Sequence, residues 1–467
     1  MIYVLLICLS ILLIGSFILN KKDIISPSVT FCASFCFSCI WAAIYAKKWE
    51  LELHSNTFFV IVGGVIEFVI ISFFIQCMFS FFAKKSEAYQ KVKLKKIEIN
   101  SFKKISFLVF CILTFIYTIY AIVKVTDGNF GNIGAALDKY NSMLKFSKEP
   151  VVLPKVLNLF RYSIKGAGYW FIYVIINNYL VDKKIDFLSI LIVIMSMACE
   201  LATGSRGGAM NMGFAFVAIF FTLLNKKNNF VKSINFKTII LIVLIGSISL
   251  ITFQTVGTLL GRKASSSSSV VAMKTTDYLA VYCGAEIKNL DMFLQEEHIK
   301  NNTIWGSQTF VSVIRWLGPR FGVKNYYYAL DLPFRKVNGF SLGNVCTTFY
   351  PYIYDFGYFG EVVLVGGMAI IVQCIYEICK RKKFKNVPLI SVLMYGYIYS
   401  SIILSFFSNK FYENTFTRNA LIVIPISWIA YEILFCKIVF NKKDEIKYLS
   451  NNVDINNEII NNENKNS

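Results

Sequence analysis

The chain reads as an all-α, polytopic membrane protein of about eleven transmembrane helices with one large extracytoplasmic loop. Three observations carry that reading. Of 467 residues, 56% are hydrophobic and only 16% are charged, whereas soluble domains carry about a quarter charged residues. Eleven apolar runs reach the roughly 20-residue length that a hydrocarbon layer of about 30 Å asks of a helix. Lysine crowds every second connection between those runs, the asymmetry that fixes which loops stay inside.

The runs fall in order at 2–19, 27–46, 58–82, 105–123, 162–181, 185–202, 208–224, 238–260, 356–378, 387–407 and 417–437. The first lacks a basic leader and a small-residue cleavage site, so it is expected to be a retained helix and not a signal peptide. Together they make one membrane domain over 1–437, interrupted chiefly by the loop 261–355. The remainder, 438–467, ends in "NNVDINNEIINNENKNS", which has no core pattern and is expected to be a disordered cytoplasmic tail.

Placing the C-terminus inside makes "NKKD", "AKKSEAYQKVKLKKIEINSFKK", "VDKKID", "NKKNNFVKSINFK" and "KRKKFK" the cytoplasmic connections, all of them basic. An odd number of crossings then puts the N-terminus outside, in a multi-pass protein of the cytoplasmic membrane. The net charge of +20 is thereby mostly a topology signal and requires no nucleic-acid partner. The 12 cysteines sit almost wholly in apolar segments, where they act as small fillers. Cys283 and Cys346 share the large loop and could form a disulfide.

That loop opens with "GRKASSSSSVV", expected to be flexible. The stretch 275–297 reads as a helix with Thr276 or Asp277 as N-cap and acidic residues early. The rest is dense in aromatics.

The cations divide by side. The chain has 40 Lys and 8 Arg; the inner face holds 25 Lys with Arg381 alone, the outer face 15 Lys with seven Arg. Those seven are Arg161, Arg206, Arg262, Arg315, Arg320, Arg335 and Arg418. Lysine would serve for charge alone, whereas a planar five-donor guanidinium grips a carboxylate or phosphate bidentately. The segregation points to an anion handled outside. Anchoring of helix ends at lipid headgroups is the alternative.

Arg206 lies in a "TGSRGG" turn just before the 208–224 run. A helix N-terminus offers free N–H groups and partial positive charge to a phosphate, and Gly204, Gly207 and Gly208 allow close backbone approach. Arg418 repeats the arrangement at the start of the last run. Glu200, one turn below Arg206, is its candidate partner when no anion is bound. Arg206, Arg315, Arg320, Arg335 and Arg418 are the candidate phosphate ligands.

Trp305, Trp316, Tyr326, Tyr327, Tyr328, Tyr350, Tyr352, Tyr354 and Tyr358 offer apolar faces with hydroxyls at their edges, which suit the C–H faces of sugars. Trp305, Tyr327 and Tyr354 are the candidate sugar-binding residues; an aromatic belt at the membrane interface is the ordinary alternative. Carboxylates with reach to this face are Asp277, Glu286, Asp291, Asp331, Asp355 and Glu361. Asp355, in "YDFGYFGE", stands at the mouth of the 356–378 run, where it is either a general base or the N-cap of that helix. Glu67 lies deep in a span, where an ionisable group is by default a functional suspect. His54 and His298 form no cluster, and His298 is the only histidine of the large loop. The chain has no G-x-x-x-x-G-K-[ST] loop, no His/Cys zinc spacing and no D-x-D pair. No cofactor and no metal are therefore expected, and a departing pyrophosphate would rely on arginine and helix ends.

Three stretches resemble the oligosaccharide repeat-unit polymerase family, the Wzy-type O-antigen and capsule polymerases: "LATGSRGGAMN", "DYLAVYCGAEIKNLDMFLQEEHIKNNTIWGSQTFVSVIRWLG" and "NVCTTFYPYIYDFGYFGEVVLVGG". The likeness covers roughly 195–380 and the overall hydropathy, and order, spacing and membrane side agree. The resemblance implies a GT-C-like architecture and a glycosyltransferase that moves a growing glycan from undecaprenyl pyrophosphate onto the next lipid-linked repeat unit at the outer face of the membrane. By the same resemblance the outer-face arginine matches Arg206 and the D-F-G aspartate matches Asp355, the two candidate catalytic residues. A chain-length regulator and a flippase of the same pathway are the implied protein partners. An R-x10-G loop pattern described for some members is missing here. An O-antigen ligase, which would call on His298, and a lipid-linked oligosaccharide flippase or other transporter are the competing readings. A transporter would show paired halves with broken helices, which this sequence lacks.

Overall fold

The computed structural model describes residues 1–82, 94–146, 151, 153–203, 207–228, 230, 275–296, 304–328, 330–381 and 388–435. Ten of the eleven expected membrane segments are helices among them: α1 (Ile2–Leu19), α2 (Pro27–Tyr45), α3 (Ser55–Phe82), α4 (Ser101–Val125), α6 (Lys155–Asp182), α7 (Phe187–Leu201), α8 (Gly207–Lys227), α12 (Phe349–Arg381), α13 (Ile390–Ile403) and α15 (Arg418–Phe435). The eleventh, 238–260, lies outside the described residues, as do Arg206, Arg262, His298, the serine run after Arg262 and the tail 438–467. Among the described residues, six helices are long and apolar enough to cross a membrane by length and composition.

The bundle is as apolar outside as inside. On α1, Tyr3, Ile7, Ile11, Ile14 and Ile18 form an exposed stripe at helical spacing, and α15 does the same with Leu421, Ile424, Trp428, Ile429 and Ile433. In water such faces would drive association; in lipid they are the solvated surface, and helix packing must come from close fit instead. One close fit is between α3 and α12. A Cβ on Gly64 would stand 2.5 Å from both the Phe349 ring and Glu361 Oε1, so only glycine lets the two backbones approach. Phe31 of α2 stacks on Phe68 of α3 at 4.2 Å, and Phe35 stacks on Phe349 at 5.1 Å. Three helices are thus tied into one core.

Connections gather at two ends. At one, which is rich in lysine, the Lys226 ammonium donates to Cys379 O at 2.8 Å, Lys104 pairs with Asp186 at 2.6 Å, and Asp23 accepts from Asn225 and Tyr376. At the other, the loop end, lie the residues between α2 and α3, the short helix α5 (Ile133–Phe146), and a lid of small elements. That lid comprises α9 (Thr275–Cys283), α10 (Ala285–Gln295), α11 (Val311–Leu317), the hairpin β1 (Arg335–Val337) with β2 (Phe340–Gly343), and α14 (Lys410–Thr415). The hairpin turns on Asn338 and Gly339, both at positive φ (49° and 76°), the preference of a two-residue loop joining right-twisted strands.

The structure departs from the sequence expectations at three places. The helix expected over 275–297 is two helices, because Gly284 lies against α2: a Cβ there would sit 2.7 Å from Ala42 N. The last long loop helix starts at Phe349 and not at residue 356, and it is kinked at Gly357 (φ 69°, ψ −168°), a backbone region that only glycine enters readily. Cys283 and Cys346 are both buried and free, so no disulfide joins them; burial pushes both thiols up to about 12.

Candidate functional site

The kink at Gly357 separates the head of α12 from its spanning part and presents Asp355 to the lid. Its carboxylate accepts the backbone N–H of Thr309 at 2.6 Å and of Gln308 at 3.0 Å, with the Ser307 hydroxyl at 3.4 Å. Asp355 is therefore not the N-cap of its own helix: it folds the 304–310 segment around itself. That segment is held again by Asn409, whose side-chain amide donates to Thr309 O at 3.0 Å, and by Tyr328, whose hydroxyl donates to Ser307 O at 2.7 Å. Burial, and the Asp355 carboxylate close by, push the Tyr328 phenol above its ordinary value.

The arginines meet different fates. Arg315 donates to Tyr328 O at 2.7 Å and covers the Tyr327 ring at 4.7 Å, while its Nε stays buried without a partner. Arg320 is exposed over the Trp316 ring at 5.5 Å. Helix α11 packs on α15, which brings the element carrying Arg315 to the one that Arg418 begins. Arg335 corrects the expectation made for it: its buried guanidinium forms a two-pronged pair with Glu296, one prong at 2.8 Å, and the fork meant for phosphate is already occupied.

The sugar-binding candidates also divide. Trp305 is 75% exposed and meets Phe356 edge-on at 4.7 Å, so one face is free. Tyr327 is half-covered by Arg315. Tyr354 is only 3% exposed, wedged against Phe293 and Tyr350, with its hydroxyl on Asp331 at 2.8 Å. Its ring belongs to the core under the lid and offers no face to a sugar. Tyr350 and Tyr352 are buried with it.

Several carboxylates that the sequence offers as candidates at this face are instead built into the lid. Asp291 accepts from His54 N at 2.9 Å, His54 Nδ1 at 3.0 Å and Thr57 Oγ1 at 2.6 Å, pinning α10 to the start of α3. Asp277 binds Lys48 at 2.7 Å and Tyr45 at 3.0 Å. Glu286 is 0% exposed, and neither carboxylate oxygen finds a hydrogen-bond partner in another residue. Burial pushes it well above the usual carboxylate range, so it is folded in as the neutral acid.

A raised acid binds its proton more tightly folded than unfolded, so its contribution is full at low pH and fades as pH climbs above the unfolded value. The unfolding temperature of the wild type is thus expected to fall from pH 5 to pH 8. Glu286→Gln, neutral throughout, should flatten that slope in a thermal-shift titration. An unchanged slope would mean that Glu286 ionises without cost.

Below the lid, the turn that follows α7 is built on ions. Glu200 pairs with Lys165 of α6 at 2.9 Å and lies in the field of Arg161 one turn above. Its Oε2 also stands 2.1 Å from where a Cβ on Gly208 would be, which places the carboxylate against the first turn of α8. Glu200 thus has a described partner in Lys165, a residue that sequence reasoning passed over. Among the described residues no three His, Cys, Asp or Glu side chains gather closely enough to hold a metal ion.

The family described as O-antigen polysaccharide polymerase Wzy matches residues 1–353. The chain belongs to that polymerase family. Among curated proteins and among solved structures, none matches the chain. The match takes in the "LATGSRGGAMN" turn and most of the lid, and it ends two residues before Asp355. As a member of the O-antigen polymerase family with several apolar helices, the chain is an integral membrane protein of polysaccharide biosynthesis. The ionic turn and the arginine-bearing lid of this polymerase share the loop end.

Proposed function

We propose that this polymerase joins undecaprenyl-pyrophosphate-linked oligosaccharide repeat units into a surface polysaccharide, at the outer face of the cytoplasmic membrane. The loop end is then extracytoplasmic and the lysine end cytoplasmic. The observation that carries the reading is the family match together with the arginines that the lid carries, Arg315 and Arg320. The growing glycan leaves one carrier and bonds to a hydroxyl of the next repeat unit, and undecaprenyl pyrophosphate departs. The leaving group is a weakly basic polyanion that needs fixed positive charge where negative charge develops, commonly worth several kcal/mol. Arg206, Arg315, Arg320 and Arg418 are proposed to supply it, without a metal or other cofactor; Arg335 is proposed instead as the tie that holds the hairpin to Glu296. Asp355 is proposed to orient and deprotonate the attacking hydroxyl. Trp305 and Tyr327 are proposed to meet the sugars. Partners in this reading are the lipid-linked glycans, with a chain-length regulator and a flippase acting before and beside it.

Deleting the gene tests the reaction class. Loss of a polymerase leaves single repeat units on the acceptor in a gel of surface glycans. Polymer stranded on the carrier lipid would instead mean a ligase, and single repeats trapped inside the cell would mean a flippase.

A further inference from the structure

Helices α6 and α7 run side by side from a four-residue connection at the lysine end, 183–186. One has 28 residues and the other 15. At about 1.5 Å per residue, α6 stands roughly 20 Å beyond the end of α7. The protruding part of α6 is walled by α4 and α5 through Ala121, Ile122, Leu137, Tyr140, Leu153 and Leu157. The turn after α7 and the N-terminus of α8 therefore lie at the foot of a recess, well below the rim of the loop end. The charges gather at that foot.

Among the described residues, two cations, Arg161 and Lys165, sit one turn apart on α6 and face a single carboxylate, Glu200, an excess of one positive charge. The N-terminus of α8 adds partial positive charge at the same level. Two polar atoms are left over. The Arg161 Nε is buried without a hydrogen-bond partner. The Tyr169 hydroxyl is likewise bare, on a side chain 5% exposed that lies beside Lys165 and Glu200 and meets the Tyr397 ring at 5.6 Å. A buried ion pair used only to hold helices together would balance its charges and satisfy its donors. This one does neither.

We infer that Arg161, Lys165 and the Tyr169 hydroxyl form a recessed subsite for the pyrophosphate of a polyprenyl-linked glycan, with Glu200 holding Lys165 in place until the anion arrives. The inference rests on the polymerase reading and names residues for it on the membrane helices α6 and α7, apart from the lid that would meet the sugars. A phosphate entering the recess takes the excess charge and the two unsatisfied donors, and Glu200 shares Lys165 with it.

The test uses the full-length protein in lipid nanodiscs. A polyprenyl pyrophosphate serves as probe, inorganic pyrophosphate as competitor, and phosphatidylglycerol nanodiscs set the background for ordinary headgroups. Lys165→Met/Glu200→Gln removes both charges of the pair, so that neither member is left as a lone ion; Arg161 stays in place, and the unfolding temperature is measured beside binding to show that the fold is kept. Arg161→Gln leaves the pair intact. Each is expected to weaken probe binding about 10- to 100-fold, the loss of one charge-assisted contact, and to raise KM for the lipid-linked donor more than it lowers kcat. Unchanged affinity in both variants would show that the cluster is structural and would overturn the inference, even with a wild type that elongates glycans. Competition by phosphatidylglycerol as strong as by polyprenyl pyrophosphate would also overturn it. A wild type that binds the probe but never elongates a glycan upholds the subsite and fails the polymerase reading alone.

Discussion

Asp355→Asn is expected to cut chain growth by about 100-fold or more, and to do so with the protein still in the membrane. Two losses combine. A positioned base contributes typically about 10²- to 10⁴-fold, and an amide cannot take a proton from the acceptor hydroxyl. The same change also disturbs the segment that Asp355 folds. The aspartate receives the N–H groups of Gln308 and Thr309, whereas asparagine turns an N–H₂ toward one of them. Amide hydrogen exchange at Gln308 and Thr309, followed beside elongation of a lipid-linked repeat unit, resolves the two. Faster exchange with lost elongation makes Asp355 at least a positioning residue; lost elongation with unchanged exchange makes it the base. Full-length polymer from the asparagine variant would remove Asp355 from the reaction.

Arg206→Lys should be of similar size. Residue 206 directly precedes Gly207 in the sequence, where α8 begins, and a pyrophosphate there would draw on the guanidinium fork and the helix N-terminus together. Lysine keeps the charge and loses the bidentate geometry. Removal of one fixed donor to a developing oxyanion commonly costs about 10²- to 10³-fold in rate, so single repeat units should accumulate at wild-type protein levels. Polymer of normal length from the lysine variant would show that charge alone suffices. A cytosolic readout from a reporter fused at residue 206 would displace the whole site.

The membrane helices were legible because lipid imposes a local rule. Each span must be apolar over its length and bond its own backbone, so segments such as 2–19 and 27–46 could be read nearly to the residue, and α1 and α2 end where expected. The TGSRGG stretch was read by the same rule, as a charged, glycine-rich interruption between two such spans; Gly204, Ser205 and Arg206 lie outside the described residues. The lid was read less well. Its composition suggested an open aromatic surface, yet Tyr350, Tyr352 and Tyr354 are the inner face of a helix that begins earlier than the hydropathy does. An amphipathic helix head with a proline and five aromatics looks the same in sequence whether its rings face a sugar or a core.

What the sequence determined by itself, then, is the order of the apolar segments, ten of which are helices among the described residues, and their likeness to a polymerase family. Tertiary structure alone decided which charges are spent. Glu296 claims Arg335 across 39 residues, Asp291 reaches His54 across 237, and Glu200 finds Lys165 across 35. Ion pairs form by distance through space, and that distance was set by helix lengths and by close approaches such as Gly64 on Phe349 and Gly208 on Glu200. The cations that remain unbalanced at the foot of the recess follow from that packing and from no motif.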